Sequence, residues 1–144
     1  MADYFTQFSC ILDVGSADHV ARANDIRDQL AAELEHDEGA DLGFEMDADP
    51  DNGPGALWLH SDGYGEPEHV IRFALACAEA FDLKGRWGFT WALTCSRPRL
   101  DGFGGGAQLL DFGTRESLAW TDCAHWLSAM LDPDTEPDQG VAFT

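Results

Sequence analysis

A run of carboxylates between positions 33 and 51 is the densest concentration of chemically active groups in this chain. Side chains two residues apart on an extended strand repeat at about 6.6 Å, so carboxylates at alternate positions can imitate the phosphates of a DNA strand. The run therefore predicts a surface that binds a basic, nucleic-acid-binding protein. A solvated helix end and loop would explain the same residues. This acidic block contains no Lys or Arg and consists of Glu33, Glu35, Asp37, Glu38, Asp41, Glu45, Asp47, Asp49 and Asp51.

Metal binding is the second chemistry that these residue types suggest. Asp47, Asp49 and Asp51 would offer Ca²⁺ oxygen ligands at alternate positions, but a calcium loop needs Gly at its sixth position and Glu at its twelfth. Asn52 and Trp58 stand there instead. The pair Cys123 and His125 also lacks partners at a spacing typical of zinc ligands. We therefore predict no metal and no cofactor.

A basic, glycine-rich segment follows the acidic half of the chain. Arg97 and Arg99, together with Gly104 and Gly105 in a predicted loop from Ser96 to Gly106, could present guanidinium groups and free N–H groups to an anion. The segment lacks the lysine of a phosphate-binding loop, and no helix follows it. The alternative is that both arginines pair with nearby carboxylates and hold the loop.

Acid–base chemistry would need the connection that runs from Ser61 to His69. Ser61, Asp62 and His69 contain the residue types of a nucleophile, an acid and a base, but no nucleophile-elbow motif surrounds them. A polar connection explains them equally well, so we predict no catalytic residue. A small enzyme, or an anion-binding or nucleotide-binding domain, that uses this connection or the Arg97–Gly106 loop is the alternative function.

Hydrophobic periodicity indicates the elements that carry these residues. Alternate apolar residues predict strands, and apolar residues three and four apart predict helices. Ser16 is a good N-cap for the first helix, and Pro67 suits the first turn of the second. The predicted elements are strand 5–14, helix 16–36, strands 42–47 and 56–60, a helix from 67 to about 84, strands 86–95, 107–112 and 117–121, and helix 122–131.

The order of these elements predicts an α+β fold. Its first six elements follow the ferredoxin-like order βαββαβ, in which two helices cover one face of an antiparallel sheet. A C-terminal β-hairpin and a short helix follow, and the hairpin would either extend the sheet or cover its other face. We expect one domain over residues 1–131 and an acidic, mobile tail over residues 132–144.

The charge balance narrows the classes of partner. The chain of 144 residues has 27 Asp plus Glu and 8 Lys plus Arg, a formal net charge of −19. Such a surface repels phosphate backbones and anionic lipids, so we expect no direct nucleic acid and no membrane. The N-terminus lacks the pattern of a secretory signal, and the four cysteines match no disulfide or zinc spacing, which favours a cytoplasmic protein with free thiols.

Three segments carry a resemblance to known proteins: ADYFTQFSC, PEHVIRFALACAEAF and GRWGFTWALTCSRPRLDGFGGGA. They resemble uncharacterised small acidic proteins of bacterial plasmids and prophages. The resemblance implies a mobile-element setting, where anti-defence proteins of the anti-CRISPR and antirestriction types are common, and it transfers no functional residue. The expected function is therefore a non-enzymatic anti-defence inhibitor. A toxin-neutralising immunity protein is a further alternative that uses the same electrostatics.

Overall fold

The computed structural model describes residues 2–136, which form six strands and three α-helices. The strands are β1 (Tyr4–Asp13), β2 (Glu45–Ala48), β3 (Ala56–Ser61), β4 (Arg86–Cys95), β5 (Gly104–Asp111) and β6 (Glu116–Asp122). The helices are α1 (Ala17–Glu38), α2 (Pro67–Phe81) and α3 (Cys123–Met130), and a 3₁₀ turn covers Pro50–Asn52.

The strands form one antiparallel six-stranded sheet in the order β2-β3-β1-β4-β5-β6. This confirms the predicted α+β class. The ferredoxin-like assignment is not confirmed. A ferredoxin-like sheet has four strands, whereas this sheet has six and a correspondingly different strand order. The C-terminal hairpin of β5 and β6 extends the sheet beyond β4, which settles the choice that the sequence left open.

The helix ends follow the local chemistry of the chain. Ser16 accepts a hydrogen bond from the backbone N–H of His19 at 3.2 Å and so caps α1. Gly39 ends α1 in the left-handed conformation with φ 59°. The helix α2 ends at Phe81, earlier than the sequence predicts, because Asp82 takes the left-handed conformation with φ 51°.

The hydrophobic core lies between the sheet and the layer formed by α1 and α2. Successive residues of a strand point to opposite faces, so Leu57 and Leu59 face the helices while Trp58 and His60 point away. The side of the sheet opposite α1 and α2 is called the open face below. Fully buried side chains of the core include Leu12, Leu34, Leu57, Leu59, Phe73 and Leu110.

The aromatic residues of β4 lie on the helix-facing side, as their alternation predicts. Phe89 packs edge-on against Phe8 with ring centroids 5.9 Å apart. The indole N–H of Trp87 donates to the carbonyl of Ile11 at 2.9 Å, so this buried polar atom has a partner. Strand β4 is therefore packed into the core through its aromatic residues.

Among residues 2–136, no helix combines the length and the hydropathy needed to cross a membrane. Residues 132–136 follow α3 and are largely exposed. The rest of the predicted mobile tail, residues 137–144, lies outside the described part of the chain.

Candidate functional site

The acidic block is divided among four places in the fold. Glu33 to Glu38 occupy the last turns of α1, Asp41 lies in the connection between α1 and β2, Glu45 and Asp47 lie on β2, and Asp49 and Asp51 flank or enter the 3₁₀ turn. The prediction that carboxylates alternate along an extended strand to imitate DNA phosphates is therefore wrong for Asp49 and Asp51, which lie beyond the end of β2. The extended chain ends at Ala48 because Pro50 starts the 3₁₀ turn, and Asp49 instead accepts a hydrogen bond from the Asn52 side chain at 2.7 Å.

Glu45 and Asp47 form a cluster with residues of β3 on the open face. The His60 imidazole places Nε2 2.8 Å from Oδ2 of Asp47 and Nδ1 3.6 Å from Oε2 of Glu45. The Trp58 indole stacks on His60 with ring centroids 3.6 Å apart, and its N–H donates to Oγ of Ser9 at 2.7 Å. One interaction network therefore joins β2, β3 and β1 across the open face.

The alternation along β3 is a sequence signal for this cluster, and the pattern of carboxylates alone does not reveal it. Strand β3 alternates buried Leu57 and Leu59 with Trp58 and His60, so its two largest polar-tipped side chains must share the open face. What periodicity alone does not give is the register of β2 on β3. That register pairs Glu45 with His60 and Asp47 with Trp58.

The remaining acids of the block have few cationic partners. Glu38 binds Arg72 of α2 at 2.9 Å, and His36 lies 4.0 Å from Asp37. Within residues 2–136, the side chains of Glu35, Asp41 and Asp51 make no ion pair and no hydrogen bond. All three are exposed, so their charges are available to a partner.

Charge is distributed unequally between the two halves of the sheet. Residues 16–55, which include α1 and β2, carry twelve Asp or Glu and two Arg. Residues 84–136, which include β4, β5, β6, α3 and the segment after it, carry seven Asp or Glu and five Lys or Arg. Because β2 is one edge of the sheet and β6 is the other, and because α1 crosses between β1 and β2 through short connections, the molecule has a strongly acidic side and a weakly acidic side.

Arg97 and Arg99 lie in the exposed segment between β4 and β5. No ion pair reaches either guanidinium within the described residues, so the interpretation that they hold the loop through carboxylates is wrong. The loop is anchored instead by Tyr4, whose hydroxyl donates to Oδ1 of Asp101 at 3.1 Å. That hydrogen bond raises the pKa of Tyr4, with smaller contributions from burial and from the charge of Asp101.

Gly104 and Gly105 belong to strand β5 and do not form part of an open loop. They pair with Leu93 and Ala92 of β4, so the predicted loop from Ser96 to Gly106 ends earlier than the sequence indicates. A Cβ at Gly105 would overlap the backbone carbonyl of Trp91. The glycines permit close strand approach, and the predicted anion cradle that combines them with the two arginines is not formed.

The residues Ser61, Asp62 and His69 do not form a catalytic grouping. His69 is buried, and its Nδ1 donates to the carbonyl of Leu42 at 3.1 Å. Ser61 Oγ lies 3.5 Å from the amide nitrogen of Gly63, from which it accepts, and the carbonyl of Asp62 accepts from the Gln7 side chain at 3.0 Å. His69 is therefore a core histidine that ties α2 to the segment before β2.

A cavity of about 230 Å³ lies where the Ser61–His69 connection meets the segment after β4. Its polar side chains are those of Tyr4, Thr6, Tyr64, Glu66, Thr94 and Asp101. No histidine and no arginine lines it. The two segments of the alternative function thus meet, but His69, Arg97 and Arg99 do not line the cavity between them.

The cysteines and the acidic side chains offer no grouped metal ligands. In the part of the chain that the structure describes, no three His, Cys, Asp or Glu side chains are placed to hold one ion. Burial raises the pKa of the Cys10 and Cys77 thiols to about 12, which disfavours the thiolate form that ligates metals or attacks substrates.

Comparisons of the chain with protein-family models, with curated proteins and with solved structures find no match. The resemblance to plasmid and prophage proteins is therefore not tested by them. A proposal on function therefore has to be argued from the geometry and the charge of this chain.

Proposed function

We propose that this chain is a non-enzymatic acidic protein that binds a cationic surface of another protein with its α1–β2 side. The observation that carries the proposal is the separation of charge across the sheet: residues 16–55 hold twelve acids and two arginines, whereas residues 84–136 hold seven acids and five bases. An acidic surface that only keeps the protein soluble would not need this separation of charge, because net charge promotes solubility wherever the charged residues lie.

The target class is a nucleic-acid-binding machine of the CRISPR or restriction type. Such machines hold nucleic acid in positively charged channels, and a compact acidic body competes for the same channel without base contacts. Free carboxylates at Glu35, Asp41 and Asp51 supply charge that no Lys or Arg of the described residues neutralises. The mobile-element setting implied by the sequence resemblance belongs to the same proposal.

The first four strands and the first two helices are the part of the fold that the ferredoxin-like prediction concerns. We propose that β1 to β4 with α1 and α2 are a ferredoxin-like unit to which β5, β6 and α3 have been added. The element order β1-α1-β2-β3-α2-β4 supports this relation, as does the placement of both helices against one side of the sheet.

Binding to purified CRISPR effector complexes and restriction enzymes tests the proposal. Biolayer interferometry at about 50, 150 and 500 mM salt should show affinity that falls steeply as salt rises, because the Debye length shortens from roughly 14 Å to 4 Å. Duplex DNA should compete with the chain for the same site. Binding to none of these machines at low salt would refute the target class.

A matched pair of variants separates local charge from net charge. The quadruple variant Glu35→Gln, Asp41→Asn, Glu45→Gln and Asp51→Asn removes four charges from the α1–β2 side. The control Asp3→Asn, Asp62→Asn, Glu68→Gln and Asp134→Asn removes four elsewhere, all at exposed positions. We expect the first to weaken binding at least about 10-fold, since each charge pair contributes roughly 0.2–1 kcal/mol and 1.4 kcal/mol is tenfold. Equal losses in both variants would contradict a localised site.

The toxin-neutralising alternative uses the same acidic side on a different target. The test is binding to a co-encoded basic toxin and to no defence complex, with a greater loss of affinity in the first quadruple variant than in its control. That result would support the interface and contradict the target class. The small-enzyme alternative has weaker support, because the cavity beside Tyr4 and Asp101 contains no histidine or arginine.

A further inference from the structure

Strand β6 is a sheet edge that is exposed on both faces. It ends the strand order, and among residues 2–136 its only neighbour in the sheet is β5. Of its seven residues, Glu116 to Thr121 are all exposed and Asp122 is half-buried. The N–H and C=O groups on the outer side of such a strand are free to pair with another strand.

The two edges of the sheet differ in how they resist such pairing. Edge β2 has four residues, carries Glu45 and Asp47, and is followed after Asp49 by Pro50, and these three features disfavour strand addition. Edge β6 is seven residues long, contains no Pro and no Lys, and has its two acids, Glu116 and Asp122, at its ends. Within residues 2–136, β6 is therefore the more open of the two edges.

An apolar surface accompanies the open edge. Helix α3 contains no Asp, Glu, Lys or Arg, and none of its residues is buried. Together with β6 it exposes large hydrophobic side chains: Leu118 at 42%, Trp120 at 64%, Leu127 at 51% and Leu131 at 71%. Such a cluster on an otherwise charged protein indicates an interface.

Charge favours a second copy of this chain as the occupant. A cationic partner belongs on the α1–β2 side, whereas the half that contains β6, residues 84–136, carries seven acids and five bases and so a much smaller net charge. Two copies that meet through β6 keep their acidic sides at opposite ends of a continuous sheet. This arrangement minimises repulsion between two bodies that each carry a formal charge of −19.

We propose that two copies of this chain associate about a two-fold axis by antiparallel pairing of β6 with β6, with Trp120 and Leu127 in the contact. The pairing extends the sheet across the axis and is isologous, as most homodimers are. It does not depend on the proposed function, because it uses the opposite side of the molecule.

Sedimentation velocity across about 5–500 µM protein tests the association. The sedimentation coefficient should rise with concentration, and the monomer–dimer equilibrium should shift toward dimer as salt increases, because salt screens the repulsion between the copies. This salt dependence is opposite to that expected for the cationic partner, so the two proposals fail separately. A monomer at every concentration and salt would overturn the dimer.

Charge-insertion variants locate the interface. Trp120→Glu combined with Leu127→Glu should weaken dimerisation at least about 10-fold, because the variant removes two apolar contacts and places like charges from both copies in the contact. The matched control is Leu100→Glu combined with Phe103→Glu, which likewise places two carboxylates at exposed apolar residues, in the segment between β4 and β5. A dimer that survives the first variant, or is lost equally in the second, overturns the β6 interface.

A cysteine at the strand midpoint gives an independent readout. Ala119→Cys lies at the centre of Glu116–Asp122, where antiparallel partners come within disulfide reach. In a Cys123→Ser background, which removes the exposed native thiol beside β6, mild oxidation should yield covalent dimers of this variant. The control Tyr64→Cys, also exposed, should stay monomeric. Equal cross-linking of both variants, or none of Ala119→Cys, would overturn the pairing.

Discussion

Asp47 accepts a hydrogen bond from His60 across the β2–β3 pair, with 2.8 Å between Oδ2 and Nε2. The imidazole is in turn covered by Trp58, whose centroid lies 3.6 Å from that of His60. Trp58 then reaches Ser9 on β1. This chain of contacts fixes the acidic edge strand to the rest of the sheet, so the position of Asp47 on the acidic side depends on an aromatic residue of β3.

The stability of edge β2 should depend more on Trp58 than on Asp47. Asp47→Asn should lower the free energy of unfolding by about 0.2–1 kcal/mol, as for an exposed ion pair. Trp58→Ala should lower it by about 1.5–2.5 kcal/mol, half of the loss for a fully buried tryptophan. Urea denaturation followed by circular dichroism measures both. Ser9→Ala removes only the hydrogen bond from the Trp58 indole and should cost about 1 kcal/mol. Equal losses of stability for Asp47→Asn and Trp58→Ala would contradict the prediction that Trp58 contributes more.

Arg115 connects the β5–β6 turn to the end of α2. Its Nε lies 3.1 Å from Glu79, its Nη2 lies 3.1 Å from Asp82, and Nη1 donates to the carbonyls of Leu83, Phe112 and Gly113. The ammonium of Lys84 and the guanidinium of Arg115 together lower the pKa of the Asp82 carboxyl, with Lys84 the larger cause. An acidic pH should therefore weaken this connection.

Asp82→Asn tests the pH dependence of that connection. A carboxyl whose pKa is lower in the folded state stabilises the protein above the unfolded value, and the contribution is lost as pH falls through the folded value. The variant should be less stable than the natural chain at pH 7, and the difference should shrink as pH falls below about 4. Denaturant titrations at pH 7 and pH 3 measure it. Asp62→Asn, whose carboxylate makes no ion pair among residues 2–136, is the control, and a constant difference for Asp82→Asn would contradict the linkage.

The helices and strands could be predicted where periodicity and caps agree. The alternation of Trp87, Phe89 and Trp91 predicted both β4 and its buried face, and Ser16 and Gly39 predicted the limits of α1 to within two residues. These signals are local, because each depends on residues within a few positions of one another. The confirmed α+β class follows from them.

The candidate sites were less predictable because they depend on contacts between distant residues. The bond from Tyr4 to Asp101 spans 97 positions, and that from His69 to Leu42 spans 27. No local pattern gives such pairs, since strand order and register decide them. The prediction of alternating carboxylates failed at two positions for a local reason: Pro50 could have indicated that the strand ends before Asp49 and Asp51.

The close approach of β4 and β5 at Gly105 gives the sharpest test of the sheet register. Gly105 has φ 150°, and a Cβ there would overlap the Trp91 carbonyl, whereas a Cβ at the adjacent Gly104 would lie 3.8 Å from Leu93 Cδ1 in ordinary contact. Gly105→Ala should therefore destabilise the fold by about 2 kcal/mol or more. Gly104→Ala should change stability by less than about 1 kcal/mol. Urea denaturation measures both, and equal effects would show that these glycines serve a loop and that β5 is not in this register.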